Sequence, residues 1–125
     1  SFADFDYGVP RVETERCPEV ACISLRVRCL GPLKSAEVAQ AYVRFTQDDR
    51  EPRFVLRGFH KTKALRPGDE EVVTFNFSRQ DLSVYHEAGW VLQRKVEVHI
   101  GASSADIRRV LPLSVPPSGG RVVPV

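Results

Sequence analysis

At 125 residues, 42% hydrophobic and 27% charged, the chain has the length of one domain and enough apolar material for one core. Eighteen lysines and arginines are interspersed with sixteen acids, giving a net charge of +2 and no basic run, which argues against nucleic acid as a partner. No apolar stretch approaches the roughly 20 residues of a membrane-spanning helix, and no low-complexity tract argues for disorder.

The chain opens at Ser1 rather than Met and shows no signal peptide, so it reads as a piece trimmed from something longer. Phe2, Phe5 and Tyr7 suggest a first strand or a segment lying along a neighbour. Three cysteines follow, Cys17, Cys22 and Cys29, an odd number that cannot pair completely within the chain. The C-x4-C spacing has no second Cys/His cluster to complete a zinc site, so no metal is expected. Cys17 and Cys22 are close enough to form a short disulfide loop if the protein is secreted.

Ala21 to Leu30 alternates, with Ile23, Leu25, Val27 and Cys29 on one face and Ser24, Arg26 and Arg28 on the other. This period of two marks a half-buried strand, makes Cys29 a buried free thiol, and ends at Gly31-Pro32. Glu37 to Phe45 repeats the pattern, with Ala39, Ala41, Val43 and Phe45 inward and Gln40, Tyr42 and Arg44 outward. The charged run from Gln47 to Pro52 reads as an exposed hairpin loop. Phe54 to Lys61 is a third strand, and Gly58 within it signals a bulge or a close backbone approach.

Arg66-Pro67-Gly68-Asp69 is a turn, because proline presets φ and glycine tolerates positive φ. Glu71 to Phe77 follows as a strand with Val73, Phe75 and Phe77 inward. Ser78 to Tyr85 reads as a short helical turn capped by Ser78, with Leu82 and Tyr85 directed back to the core. Trp90 to Ile100 is a strand with Val96, Val98 and Ile100 on one side. Gly101 to Asp106 is a polar loop, and Ile107 to Val115 the last strand. Residues 116–125 are expected to be a flexible tail, leaving 1–115 as the domain. Six or seven short strands with regular turns predict an antiparallel all-β sandwich, and no Cys…Trp…Cys arrangement points to an antibody-type domain.

These segments resemble, in order, the fibronectin type III-like C-terminal domain of the family three glycoside hydrolases, the β-glucosidase and β-xylosidase group. Residues 1–7 resemble its aromatic opening segment, and Ala36-Glu37-Val38-Ala39-Gln40-Ala41-Tyr42-Val43 resembles A-G-x-E-V-V-Q-L-Y-V. Leu56 to Lys61 resembles L-K-G-F-x-K, and Leu65 to Glu70 resembles L-x-P-G-E. Val73-Thr74-Phe75 with Asp81-Leu82 resembles V-x-F-x-L-x-x-x-D-L. Trp90 and the run from Val98 to Ile107 resemble W…V-x-V-G-x-S-S-x-D-I. The Pro-Gly turn usual after the tryptophan is replaced by residues 91–95, and Cys29-Leu30-Gly31 stands where Asn-Thr-Gly is usual; both departures fall in turns. The resemblance implies a non-catalytic, cofactor-free domain that packs against the catalytic domains of its parent. The nucleophile and acid/base of the family lie upstream, so neither has a counterpart in this sequence.

The residues themselves offer several candidate sites. Glycoside hydrolysis needs two carboxylates across a sugar, but Asp48, Asp49 and Glu51, and Asp69, Glu70 and Glu71, sit at predicted hairpin tips where water solvates them. His60, His86 and His99 have no nucleophile elbow beside them. Tyr42, Tyr85 and Trp90 are candidates for a sugar-stacking platform; the competing reading has Tyr85 and Trp90 closing the bottom of the core and Tyr42 covering a neighbouring domain. Asn76-Phe77-Ser78 fits the N-glycosylation pattern with Asn76 outward. Arg26, Arg28 and Arg44 form an exposed arginine face suited to water or to an inter-domain contact. The expectation is therefore a secreted accessory module of a β-glycosidase, with a polysaccharide- or surface-binding module and a free-standing protein-interaction domain as alternatives.

Overall fold

A computed structural model describes residues 3–47, 54–117 and 122–125. Seven main strands and two short ones build two facing antiparallel sheets. In the first, the long strand β3 (Ala21–Pro32) is flanked on one side by β1 (Ala3–Tyr7) and then β2 (Arg11–Glu13), and on the other by β6 (Glu70–Phe77). The second has the order β11-β10-β9-β4-β5, from β4 (Val38–Arg44), β5 (Phe54–Lys61), β9 (Lys95–Ser103), β10 (Asp106–Ser114) and the short β11 (Val123–Pro124). A ribbon of β7 (Ser83–His86) and β8 (Gly89–Leu92) projects beside them, after one 3-10 turn at Gln80–Leu82. The seven main strands, β1, β3, β4, β5, β6, β9 and β10, match the all-β sandwich expected from the alternation. The short β2, β7, β8 and β11 add to them.

The alternating residues meet between the sheets. Ile23, Leu25, Val27 and Cys29 from β3, and Val73, Phe75 and Phe77 from β6, face Ala39, Ala41 and Val43 from β4 and Val96, Val98 and Ile100 from β9; all are buried. Each fully buried side chain of this size contributes about 1.5–3 kcal/mol of transfer free energy. Gly58 serves both purposes expected of it. An extra residue on β5 between the Ala41 and Tyr42 pairings makes a bulge, and a Cβ on Gly58 would lie 3.2 Å from Cδ1 of Phe75. The Arg66–Asp69 turn closes with the Asp69 N–H donating to the Arg66 carbonyl at 2.9 Å, and Gly68 takes φ +94°.

Several local expectations are corrected. Ser24 lies on the outer face of β3 yet is buried, because β2 covers it and its hydroxyl donates to Glu13 Oε1 at 2.5 Å. The Ser78 cap is present: the Asp81 N–H donates to Ser78 Oγ at 3.1 Å and the Ser78 N–H to Asp81 Oδ2 at 2.9 Å. The helical turn stops at Leu82, however, and the chain becomes extended. Val84 therefore points inward and Tyr85 outward, 59% exposed. The strand expected from Trp90 to Ile100 is two strands broken at Gln93 and Arg94. Gly101–Ser103, read as loop, belongs to β9, because Gly101 pairs with Ile107. The expected tail is tied down at its end, where Val122 is buried and Val123 pairs with Ser114. Of the charged loop at 47–52, only Gln47 is among the described residues; Asp48, Asp49 and Glu51 lie outside them.

Candidate functional site

The first polar cluster grows from β1, β4 and β10. Tyr7 ends β1 facing inward, and its hydroxyl donates to Glu37 Oε2 at 3.0 Å. Glu37, just before β4, is also buried; its N–H donates to Thr62 Oγ1 at 2.9 Å, and its Oε1 accepts from the Val38 N–H at 3.2 Å. Arg108 on β10 lies 5.3 Å from the centre of the Tyr7 ring and donates to the Phe5 carbonyl at 2.6 Å. It grips Asp106 with two bonds, of 2.8 and 3.0 Å. A cavity of about 420 Å³ is lined by Asp4, Glu37, Asp106 and Arg108 among others.

With three carboxylates on its wall, Asp4, Glu37 and Asp106, this cavity is the place to look for acid/base chemistry. The charge pattern is wrong for it. Glycosidic cleavage needs a carboxyl held protonated by a raised pKa. The Arg108 hydrogen bonds instead hold the Asp106 carboxyl below the ordinary range, and Glu37 is engaged by Tyr7 and the Val38 N–H. Burial, then the Glu37 charge, push the Tyr7 hydroxyl well above the ordinary tyrosine range, so it donates but does not ionise. The arrangement clamps β1 and β10 together. Sequence alone does not announce it, because Tyr7, Glu37 and Arg108 stand 30 residues or more apart and the only local signal is a glutamate opening an otherwise apolar alternation.

The aromatic candidates fall into two groups. Tyr85 and Trp90 pair across the β7–β8 ribbon edge to face, with centroids 5.5 Å apart, and Trp90 is 48% exposed. They do not close the core, because the ribbon turns them outward and Leu82 and Val84 fill the core in their place. With Phe45, Val55, Arg57 and Val84 they line a cavity of about 240 Å³. Arg57 Nε is buried there without a hydrogen-bond partner among the described residues. Tyr42 lies on the outer face of the five-stranded sheet, stacked on Phe54 at 4.9 Å, with His99 edge-on to Phe54 at 5.0 Å.

The arginines do not form one face. Arg26 and Arg28 project from β3 on the outer side of the first sheet, and Arg26 reaches Glu70 at 3.4 Å. Arg44 projects from β4 on the opposite side of the sandwich and reaches Glu97 at 3.7 Å. Asp69 and Glu70 are exposed, whereas Glu71 is half-buried and bonded to His60 at 2.8 Å and to the Lys63 N–H at 2.9 Å. His99 bonds Glu97 at 3.0 Å, and His86 lies 3.8 Å from Glu87. Asn76 is exposed on β6. Cys17 and Cys22 are joined by a disulfide, and Cys29 is a buried free thiol. Among the described residues no group of three or more His, Cys, Asp or Glu is arranged to hold a metal ion, and no helix is long and apolar enough to cross a membrane.

A family model described as the fibronectin type III-like domain matches residues 37–104, just over half of the chain, from the start of β4 to the end of β9. The chain belongs to the fibronectin type III-like domain family. The Fn3-like domain is 38% identical over 92 residues to a probable β-glucosidase D of Aspergillus flavus, a match covering 71% of this chain and 12% of that protein. It superposes on a β-D-glucoside glucohydrolase of Trichoderma reesei with a TM-score of 0.81 and 31% identity, over 92% of this chain and 19% of that one. The β-glucosidase 3B of Thermotoga neapolitana, solved with glucose, gives a TM-score of 0.80 at 26% identity, over 98% of this chain and 17% of that one. The Fn3-like domain thus spans less than a fifth of the length of these relatives, and they belong to the β-glucosidase group that the sequence resembles.

Proposed function

We propose that this Fn3-like domain is a non-catalytic accessory domain of a β-glucosidase or β-xylosidase type glycoside hydrolase, and that it stabilises the enzyme by packing against the catalytic domains. The observation that carries this reading is the coverage. A whole sandwich with its own core accounts for only 12–19% of each β-glucosidase relative, which leaves the larger part of such a chain to hold the reaction. The charge pattern in the 420 Å³ cavity supports the same reading, since it offers a carboxylate clamped by Arg108 where a hydrolase needs a protonated acid. Secretion of the parent fits the Cys17–Cys22 disulfide, because such bonds persist in oxidising compartments, and exposed Asn76 is then open to glycosylation. The test is an assay of the purified chain with aryl β-glucosides and β-xylosides. The expected result is a folded domain with no turnover; turnover abolished by a point change within the domain would overturn the reading.

The exposed Tyr85–Trp90 pair favours one second reading, a carbohydrate-binding module. Flat rings stack on the apolar faces of sugars, and these two rings meet edge to face on the exposed ribbon. That reading predicts retardation of the chain in gels containing soluble glucan or xylan, lost on Trp90→Ala. Equal mobility with and without polymer would remove it.

A further inference from the structure

The two outer faces of the sandwich differ in chemistry. On the first sheet, Asp6 stands opposite Arg28 and Arg28 opposite Glu70, so opposite charges neighbour one another across β1, β3 and β6. These cross-strand charge pairs suit a face in water, although Leu30 and Val72 are exposed singly among them. The outer face of the second sheet, by contrast, is mostly apolar. The pairing of β4 with β5 sets Gln40 opposite Phe59 and Tyr42 opposite Leu56, and places all four on the outside. Phe59 is 72% exposed, and Leu56, Val38 and Val110 are between 39% and 47% exposed. With Tyr42 stacked on Phe54, the apolar residues of β4 and β5 gather into one patch, and Glu97 and His99 of β9 separate it from Val110 on β10. Soluble monomers rarely leave such a patch bare without a partner for it.

The polar groups at the centre of this face are already partnered within it. The Tyr42 hydroxyl donates to Gln40 Oε1, His99 bonds Glu97 at 3.0 Å, and Arg44 reaches the same carboxylate at 3.7 Å. Covering the centre of the face therefore strands no lone charge, the usual obstacle to burying one, while exposed Lys61 and Lys95, at the ends of β5 and β9, stay at its margin. The bulge at Arg57–Gly58 interrupts the ladder of β5, the edge strand, and disfavours pairing with another strand there. What remains is contact through the face.

We infer that this face, centred on Phe59, Leu56 and the Tyr42–Phe54 stack, is the surface on which the rest of the same polypeptide seats; the inference rests on the accessory-domain reading. The occupant follows from the relatives, in which the matched segment is only 12–19% of one longer chain. A neighbour joined by the backbone is present at an effective concentration of roughly millimolar, which a free second copy does not match. The required occupant surface is apolar at its centre and polar at its rim.

The test is hydroxyl-radical footprinting of side chains in the 125-residue chain and in the full-length polypeptide that carries it. Phe59, Leu56 and Tyr42 should label readily in the short chain and lose labelling by about fivefold or more in the long one, as the centre of an interface packs to interior density. Val72, on the charged face, should label alike in both. Equal labelling of Phe59 in both chains, with protection appearing elsewhere on the domain, would overturn the assigned face and leave the accessory reading standing. Protection nowhere would overturn both. Protection of Phe59 in the short chain that grows with its concentration would make a second copy the occupant and overturn the inference.

Discussion

The Tyr7 hydroxyl is opposed in its ionisation by burial first and by the Glu37 charge second, so its pKa in the folded protein lies above the ordinary 10.0. A raised folded pKa contributes stability that is complete below the unfolded value and is lost as pH rises through the folded one. Unfolding free energy should therefore fall as pH climbs past the ordinary tyrosine range, and Tyr7→Phe should flatten that part of the profile. The same change removes a donor from buried Glu37 and should cost about 1–3 kcal/mol near neutrality, read by denaturant titration; an unchanged alkaline slope would contradict the account. Glu71 gives the opposite sign. Burial works against its carboxylate, but the Lys63 N–H and His60 outweigh it and hold the pKa below the ordinary 4.5. A depressed folded pKa contributes stability present above the unfolded value and lost as pH falls through the folded one. Acid titration of Glu71→Gln should show a shallower loss of stability below about pH 4.5 than the parent chain.

The strands differ in how plainly the sequence announces them. β3, β4, β6 and β9 each carry at least three inward residues at a strict period of two, and one face of each must be buried, so pattern and fold coincide. The ribbon β7–β8 has only four residues per strand and follows a genuine Ser78/Asp81 cap, so the helical signal at its start runs on into residues that tertiary packing makes extended. Its turn uses Glu87 at φ +54°, where no glycine flags it. The reading of Tyr85 and Trp90 as core residues fails for a related reason: large apolar rings default to burial, and only the ribbon's direction exposes them. The Tyr7–Glu37–Arg108 clamp joins distant segments and leaves no local period. Glycines show the same division between local and tertiary demands. At the β9–β10 bulge a Cβ on Gly101 would come within 2.0 Å of the Asp106 carbonyl oxygen, whereas one on Gly89 would meet nothing within 4 Å. Gly101→Ala should destabilise by about 1–3 kcal/mol or more and Gly89→Ala by no more than about 0.5 kcal/mol, compared by thermal unfolding. Equal effects would place the strain elsewhere.

At the scale of the whole molecule, one core is closed between two sheets whose outer faces differ, one carrying cross-strand charge pairs and the other an aromatic and aliphatic patch on β4 and β5. A free-standing catalyst has no evident use for that asymmetry. A domain with one side against its own polypeptide and the other in water does. The disulfide at Cys17–Cys22 ties the loop before β3 to that strand, the clamp at Tyr7 joins the two sheets, and the outer face of the second sheet is left to present Phe59 and its neighbours. The proposed function makes this domain the accessory part of a longer glycosidase. The measurement that tests it most directly is the sequence of the transcript upstream of the Ser1 codon. The account predicts an open reading frame that continues upstream into the catalytic domains of a β-glucosidase or β-xylosidase type enzyme. An initiator methionine or a signal peptide joined directly to Ser1 would contradict it and make binding the leading function.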